Sequence, residues 1–326
     1  MAVLAGLLVA YKLLWRPGAE PLVVYCAHDS VYSEKILREF ERQTGIPVQP
    51  VFDTESTKSL GLVERLIREK DAPRCDVFWN NELLGTLDLK ERGLLLPYKG
   101  SGYARIPDKF RDPDGCWTGF AARFRVWIVN TASIAVPTRP AFEGSGGALA
   151  KPIYGTTLTH YTVLWHHWGA DKLKAWHKDW RERGNVEARG NAHVRDLVAD
   201  GTCHVGLTDT DDFFVARDAG KPVALKPFRL DTGATICIPN TVCIIQGTRR
   251  LEQAQKLVDY LLSERCERAL ADSAARQVPL GPIDPQHPLR PEVATLAAWV
   301  KDGYPLGGLG PARAECLAWL KSEYAQ

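Results

Sequence analysis

Thr208-Asp209-Thr210-Asp211-Asp212 packs three carboxylates and two hydroxyls into five residues, directly after the apolar run Cys203 to Leu207 and before Phe213-Phe214-Val215-Ala216. The run reads as a short buried strand and the residues after it as the opening of a helix. Carboxylates this close repel one another unless a cation, a basic group, a donor-rich ligand or open water compensates them. Asp is also a preferred helix cap, so the cluster taken alone reads first as a capped, solvated loop. Its meaning depends on what stands at the other strand ends. His28-Asp29-Ser30 follows Leu22 to Cys26, Asp53 to Thr57 follows Val48 to Phe52, and Asn80-Asn81-Glu82 follows Cys75 to Trp79. Thr156-Thr157 and Gly190-Asn191-Ala192-His193 stand at two further helix starts, where free amides and the helix dipole favour an anion.

The elements that must position these groups alternate. Leu22 to Cys26 predicts a strand. A helix carrying Ile36, Leu37 and Phe40 follows and stops at Thr44-Gly45. Val48 to Phe52, a helix with Leu60, Val63, Leu66 and Ile67 on one face, and Cys75 to Trp79 continue the pattern, and another helix runs to Gly93. Such β-α alternation implies a parallel sheet, and open α/β sheets bind ligands beyond the carboxyl ends of their strands. Arg123 to Asn130 predicts a strand that leaves this first lobe, and Pro137 to Ala150 a surface loop. The region through Val223 to Pro227 repeats the βα logic. Ala234 to Ile238 and Thr241 to Ile245 predict two strands joined at Pro239-Asn240 that cross back. Leu251 to Ala271 predicts one long helix, and Ala312 to Ala325 a last one.

Composition excludes several classes. The chain has 326 residues, long enough for two lobes, with 45% hydrophobic and 25% charged residues and a net charge of +2. That balance, without a long basic stripe, gives no electrostatic case for nucleic acid. None of the eight Cys falls in CxxC spacing, so a structural zinc site is not expected, and those in apolar runs read as buried thiols. There is no GxSxG, P-loop, strand-linked GxGxxG or HExxH motif. His166 and His167 are adjacent and cannot both face one metal from a helix. Trp165, Trp168, Trp176 and Trp180 have the spacing of packing between two helices. Residues 1–15 form an apolar run broken only by Lys12, short for a membrane span and matching the apolar region of an export signal or an uncleaved anchor.

Leu22-Val23-Val24-Tyr25, Glu41-Arg42-Gln43-Thr44-Gly45-Ile46-Pro47-Val48, Asp76 to Glu82, Arg123 to Asn130, and Ala254 to Leu262 with Ser263 together resemble the solute-binding proteins of ABC importers, of the ferric-iron type. The resemblance covers nearly all of the chain after residue 20. It implies a type 2 periplasmic-binding-protein fold, with two α/β lobes, each a mixed sheet flanked by helices, joined by two crossing strands around a ligand cleft. On that reading residues 1–20 are an export signal or membrane anchor with a linker, 21–122 and 238–280 the first lobe, 123–237 the second, and 281–326 a C-terminal helical segment packed on the lobes. The function implied is that of a periplasmic or extracytoplasmic receptor, not an enzyme. It is expected as a monomer delivering a metal ion, ferric iron by resemblance, to permease and ATPase subunits.

The expected ligand-binding residues are His28, Ser30, Asn80, Asn81, Glu82, Thr156, Thr157, Asn191, Asp209, Thr210, Asp211 and Asp212, with His28, Glu82 and Asp211 as the metal ligands. The paired tyrosines of the iron-binding relatives are replaced here by Thr210-Asp211, and there is no Tyr between Tyr161 and Tyr260. Thr156, Thr157 and Asn191 match the family's anion contacts, which keeps a phosphorylated or phosphonate organic ligand as an alternative. Further alternatives are a metal-assisted hydrolase or transferase on the same fold, and a solute sensor signalling to a membrane partner.

Overall fold

The structure, a computed structural model, describes residues 20–53, 60–133 and 144–325. The expected export segment 1–15, residues 54–57 of the second strand tip and part of the loop 137–150 lie outside them. No helix among the described residues is long and apolar enough to cross a membrane.

The first lobe starts with β1 (Leu22–Cys26), α1 (Ser30–Thr44), β2 (Val48–Phe52), α2 (Leu60–Arg68), β3 (Val77–Asn80), α3 (Leu84–Glu91) and the short β4 (Leu95–Leu96). β1 lies between β2 and β3, parallel to both. Leu22, Val24, Tyr25 and Cys26 are fully buried, as a strand covered on both faces requires. Gly45 closes α1 in the left-handed conformation at φ 70°, its N–H donating to Glu41 O (2.8 Å).

β5 (Thr118–Asn130) is buried along all thirteen residues and joins the two lobes. Its first half pairs antiparallel with β10 (Cys237–Ile245), which also pairs with β3 and β4. Its second half pairs with β8 (Val205–Asp209) and β9 (Val223–Pro227). β6 (Gly147–Ala150) runs parallel to β8 and to β7 (Val186–Ala188), which completes the path β2-β1-β3-β10-β5-β8-β6-β7. Between these strands lie α4 (Gly155–Trp168), α5 (Ala170–Glu182), α6 (Asn191–Ala199) and α7 (Thr210–Asp218). α8 (Leu251–Leu261), α9 (Glu264–Asp272), α10 (Pro291–Ala297) and α11 (Gly310–Glu323) follow β10.

Four local expectations are corrected. Leu251 to Ala271 is two helices, because Ser263 takes extended backbone and its hydroxyl caps α9 by accepting from Cys266 N (3.2 Å). Gly147–Ala150 is a buried strand rather than surface loop, held between two parallel neighbours. The segments around Pro239-Asn240 are one strand with a register shift between Ile238 and Asn240. β8 begins and ends later than Cys203 to Leu207, so Asp209 is the buried last residue of the strand and not part of a loop.

The crossing is strained at one point. Ala121, in β5, has φ 42°, a region that L-residues rarely occupy. Its N–H donates to Glu267 Oε1 (3.0 Å), and the same fully buried carboxylate accepts from Leu280 N (2.8 Å) and Gly281 N (3.1 Å) and pairs with Arg105 (3.2 Å). Asn240 donates to Ala121 O from β10. Ala121→Gly is expected to stabilise the protein by ~0.5–1 kcal/mol and Ala121→Val to destabilise it by ~2 kcal/mol or more, measured by urea unfolding.

Candidate functional site

A cleft of about 270 Å³ opens where the strand ends of the two lobes face each other. Asp29, Tyr32 and Asn81 line it from the first lobe, Arg123 from the crossing strand, and Tyr154, Thr156, Thr157, Asn191, Arg195, Asp209, Asp211 and Asp212 from the second. Four helices begin on it: α1 after Asp29, α4 after Tyr154, α6 after Gly190 and α7 after Asp209. None of the four residues before them caps its helix through its side chain, although in α7 Asp211 Oδ1 accepts from Asp212 N (3.2 Å). The positive ends of four dipoles therefore converge on one space.

The floor of the second lobe is set by register. In the β5–β8 ladder Arg125 is the partner of Asp209. Arg125 is fully buried, and its Nη1 donates to Asp209 Oδ1 (2.6 Å), Asn191 Oδ1 (3.1 Å) and Thr156 Oγ1 (3.3 Å). Asp209 Oδ2 accepts from Thr156 Oγ1 (2.6 Å) and Asn191 Nδ2 (2.9 Å). Thr157 Oγ1 donates to Asn191 Oδ1 (3.2 Å). The hydroxyls and amide expected to hold an anion are thus turned into this network, and the backbone amides of α4 and α6 remain the groups that point outward.

Arg123 stands two residues earlier, on the same face of β5. It pairs with Asp211 (3.4 Å) and donates to Asn81 O across the lobes. Asp212 accepts from Thr208 Oγ1 (2.8 Å) and lies 3.6 Å from Arg195. Each Asp of the cluster thus has its own guanidinium. Burial, then Asp211 and Asp209, push the Asp212 carboxyl up to about 8, with Thr208 and Arg195 opposing. Tyr32 is also pushed up, by burial and then by Asp211, Asp29 and Asp212.

The expected site residues divide. Asn81, Thr156, Thr157, Asn191, Asp209, Asp211 and Asp212 line the cleft. His28, Ser30, Asn80, Glu82 and Thr210 do not. His28 is buried, its ring stacked on Trp79 (5.2 Å) and its Nε2 2.7 Å from the Gln277 amide. Ser30 is exposed on the outer face of α1. Glu82 accepts from Leu84 N, Gly85 N (2.8 Å), Asn80 Nδ2 (3.1 Å) and Thr159 Oγ1 (3.3 Å), so its carboxylate anchors the start of α3. Asn80 is absorbed in the same contacts, and Thr210 Oγ1 accepts from Phe124 N (3.3 Å). The set His28, Glu82 and Asp211 is therefore not assembled: the first two are buried in structural contacts. Among the described residues one group of three metal-ligating side chains has ligand atoms all within 4.8 Å of one another, namely Asp209, Asp211 and Asp212. Carboxylate oxygens suit a hard cation, although Asp209 already has both oxygens engaged.

Asp29 stood in an expected strand tip without being chosen as a site residue, and sequence reasoning missed Tyr32, Arg123, Tyr154 and Arg195 on the cleft and Arg125 beneath it. Arg123-Phe124-Arg125 inside an apolar strand carried a signal, because buried arginines are found with partners.

No family model matches the chain. Iron uptake protein A1 of Synechocystis is 23% identical in a 321-residue alignment that covers 91% of this chain and 86% of that protein. The ferric binding protein of Campylobacter jejuni superposes with a TM-score of 0.81 at 19% identity, covering 93% of this chain and 98% of that one. The periplasmic binding protein AfuA of Actinobacillus pleuropneumoniae, solved with exogenous fructose-6-phosphate bound, gives 0.75 at 19% identity, covering 94% and 98%. The chain thus has the two-lobed type 2 periplasmic-binding-protein fold and resembles ferric-iron-binding proteins over nearly its whole described length.

Proposed function

We propose that this chain is the extracytoplasmic solute-binding receptor of an ABC importer, a binder rather than an enzyme. It takes a small ligand between its lobes and delivers it to permease and ATPase subunits. The observation that carries this reading is a cleft on which strand ends and helix starts of both lobes converge. The names of the relatives make a ferric or other metal ion the first cargo to consider. Support in the chain itself is the Asp209, Asp211 and Asp212 cluster of hard oxygen donors. A ferric ion held there by carboxylates would lack the visible charge-transfer colour of a tyrosinate site.

A second reading is a phosphorylated or phosphonate organic solute. Two features favour it: four helix starts face the cleft with no cap from the residue before them, and each carboxylate of the cluster already has an arginine. An anionic group would sit at the amides of α4 and α6, with ligand hydroxyls or an amine toward Asp211 and Asp212.

Native mass spectrometry with elemental analysis of freshly purified protein separates the two. Thermal shifts with ferric citrate, citrate alone, fructose-6-phosphate and a phosphonate panel provide the second measurement. Retained iron supports the first reading, and retained phosphorus the second. No retained ligand and no shift with any probe would count against the receptor itself. Asp211→Asn is expected to weaken whichever ligand binds by about 30-fold or more. Turnover of any panel compound would instead favour a hydrolase or transferase.

A further inference from the structure

Two strands are expected to join the lobes, yet a third element also reaches from one to the other. α11 is fixed to the second lobe along most of its length. Trp165 Nε1 donates to Glu315 Oε2 (3.1 Å), and the Trp165 and Trp319 rings stack 5.6 Å apart. Arg181 pairs with Glu323 (2.9 Å), and the Tyr324 hydroxyl donates to Glu187. The start of α11 lies against the first lobe instead. Arg313 Nη1 is 3.3 Å from Asp88 Oδ2 of α3, with the two side chains only 12% and 15% exposed. Gly310 sits where a Cβ would strike the Glu91 side chain. Arg313 also lines, with Glu82, Gly85, Gly155 and Leu158, the seam where α3 and α4 meet beside the cleft.

We infer that α11 is a strap across the lobes, and that the Arg313–Asp88 pair biases the molecule toward the interlobe arrangement described above. A helix anchored to one lobe cannot keep its contact with the other when the lobes rotate about β5 and β10. The pair therefore contributes free energy to one arrangement and not to the other, and this difference is what shifts a population. Removal of water from both partners strengthens the pair relative to the exposed ion pairs elsewhere on the surface. The inference concerns the hinge and holds whichever ligand the cleft takes.

The test uses the full chain without ligand, with dyes attached through non-canonical residues at Glu34 and Lys178, one on each lobe, and single-molecule energy transfer as the readout. Arg313→Met keeps the aliphatic stem and removes the charge. It is expected to shift the population away from the interlobe separation of this structure by ~3–10-fold, and Asp88→Asn to do the same. High salt screens a pair this enclosed only in part, so it should shift the unsubstituted protein in the same direction by less than either substitution and leave Arg313→Met nearly unmoved. Arg181→Gln, which loosens α11 only from the second lobe's surface, should shift the population less. Unchanged distributions in both Arg313→Met and Asp88→Asn, with both proteins folded, would overturn the strap.

Discussion

Arg125→Met is expected to lower the stability of the ligand-free protein by ~3–5 kcal/mol, the usual cost of leaving one partner of a buried ion pair uncompensated. Arg125 is fully buried, and its guanidinium is the only charge opposite Asp209 in the β5–β8 ladder. Without it, Asp209 keeps only the neutral donors Thr156 and Asn191. It must then either hold an unpaired charge in the interior or take up a proton. Met preserves most of the volume, so the loss reports charge rather than a cavity. Two urea titrations decide the matter. The single substitution should shift the midpoint strongly, and the double variant Arg125→Met with Asp209→Leu should recover most of that loss, because removing both charges removes the desolvation as well as the attraction. A loss below ~1 kcal/mol in Arg125→Met would show that the pair does not organise the floor of the cleft.

That ion pair also shows where the sequence stops being legible. The strand order of the first lobe follows from apolar runs and from Thr44-Gly45, because burial on both faces and a left-handed stop are local demands that residue type reveals. Strand ends are legible for the same reason, and this placed Asn81, Asn191, Asp209, Asp211 and Asp212 at the cleft. Position at a strand end fixes the backbone and leaves the side-chain direction open. His28 and Glu82 stand at the expected ends and turn inward, one onto Trp79 and Gln277 and the other onto the first amides of α3. β6, with the sequence Gly-Ala-Leu-Ala, has weak strand propensity and is a strand because β7 and β8 flank it. The split between α8 and α9 was readable at Ser263-Glu264, a cap followed by an acidic first turn, but continuous apolar spacing hid it. The arginines of the cleft come from elements distant in sequence, and their pairing with Asp209, Asp211 and Asp212 depends on register and lobe contact that no local pattern encodes.

The acidic cluster, half concealed by those arginines, also predicts how stability responds to pH. Asp212 keeps its proton up to about 8 in the folded protein, whereas an unfolded Asp loses it near 3.8. The folded value is the higher one, so Asp212 contributes most below the unfolded value, and that contribution falls away as pH rises through about 8. Between pH 6.5 and 8 the ligand-free protein is therefore expected to lose ~1.5 kcal/mol through this group, the slope falling from ~1.4 kcal/mol per pH unit to about half that at the upper end. The window matters. Below it, the buried His160 and His177, whose imidazoles are held below their ordinary range, reverse the trend. Above it, buried thiols such as Cys26 and Cys316, pushed up to about 12, add a slope of the same sign. Asp212→Asn keeps the size of the side chain and a group that can meet Thr208, but it has no proton to lose. Its stability should run nearly flat from pH 6.5 to 8, crossing above the unsubstituted protein as pH rises. Urea unfolding at three pH values within the window measures both slopes. Parallel slopes would mean that Asp212 is already ionised at neutral pH, with Arg195 and Thr208 outweighing its burial beside Asp211 and Asp209.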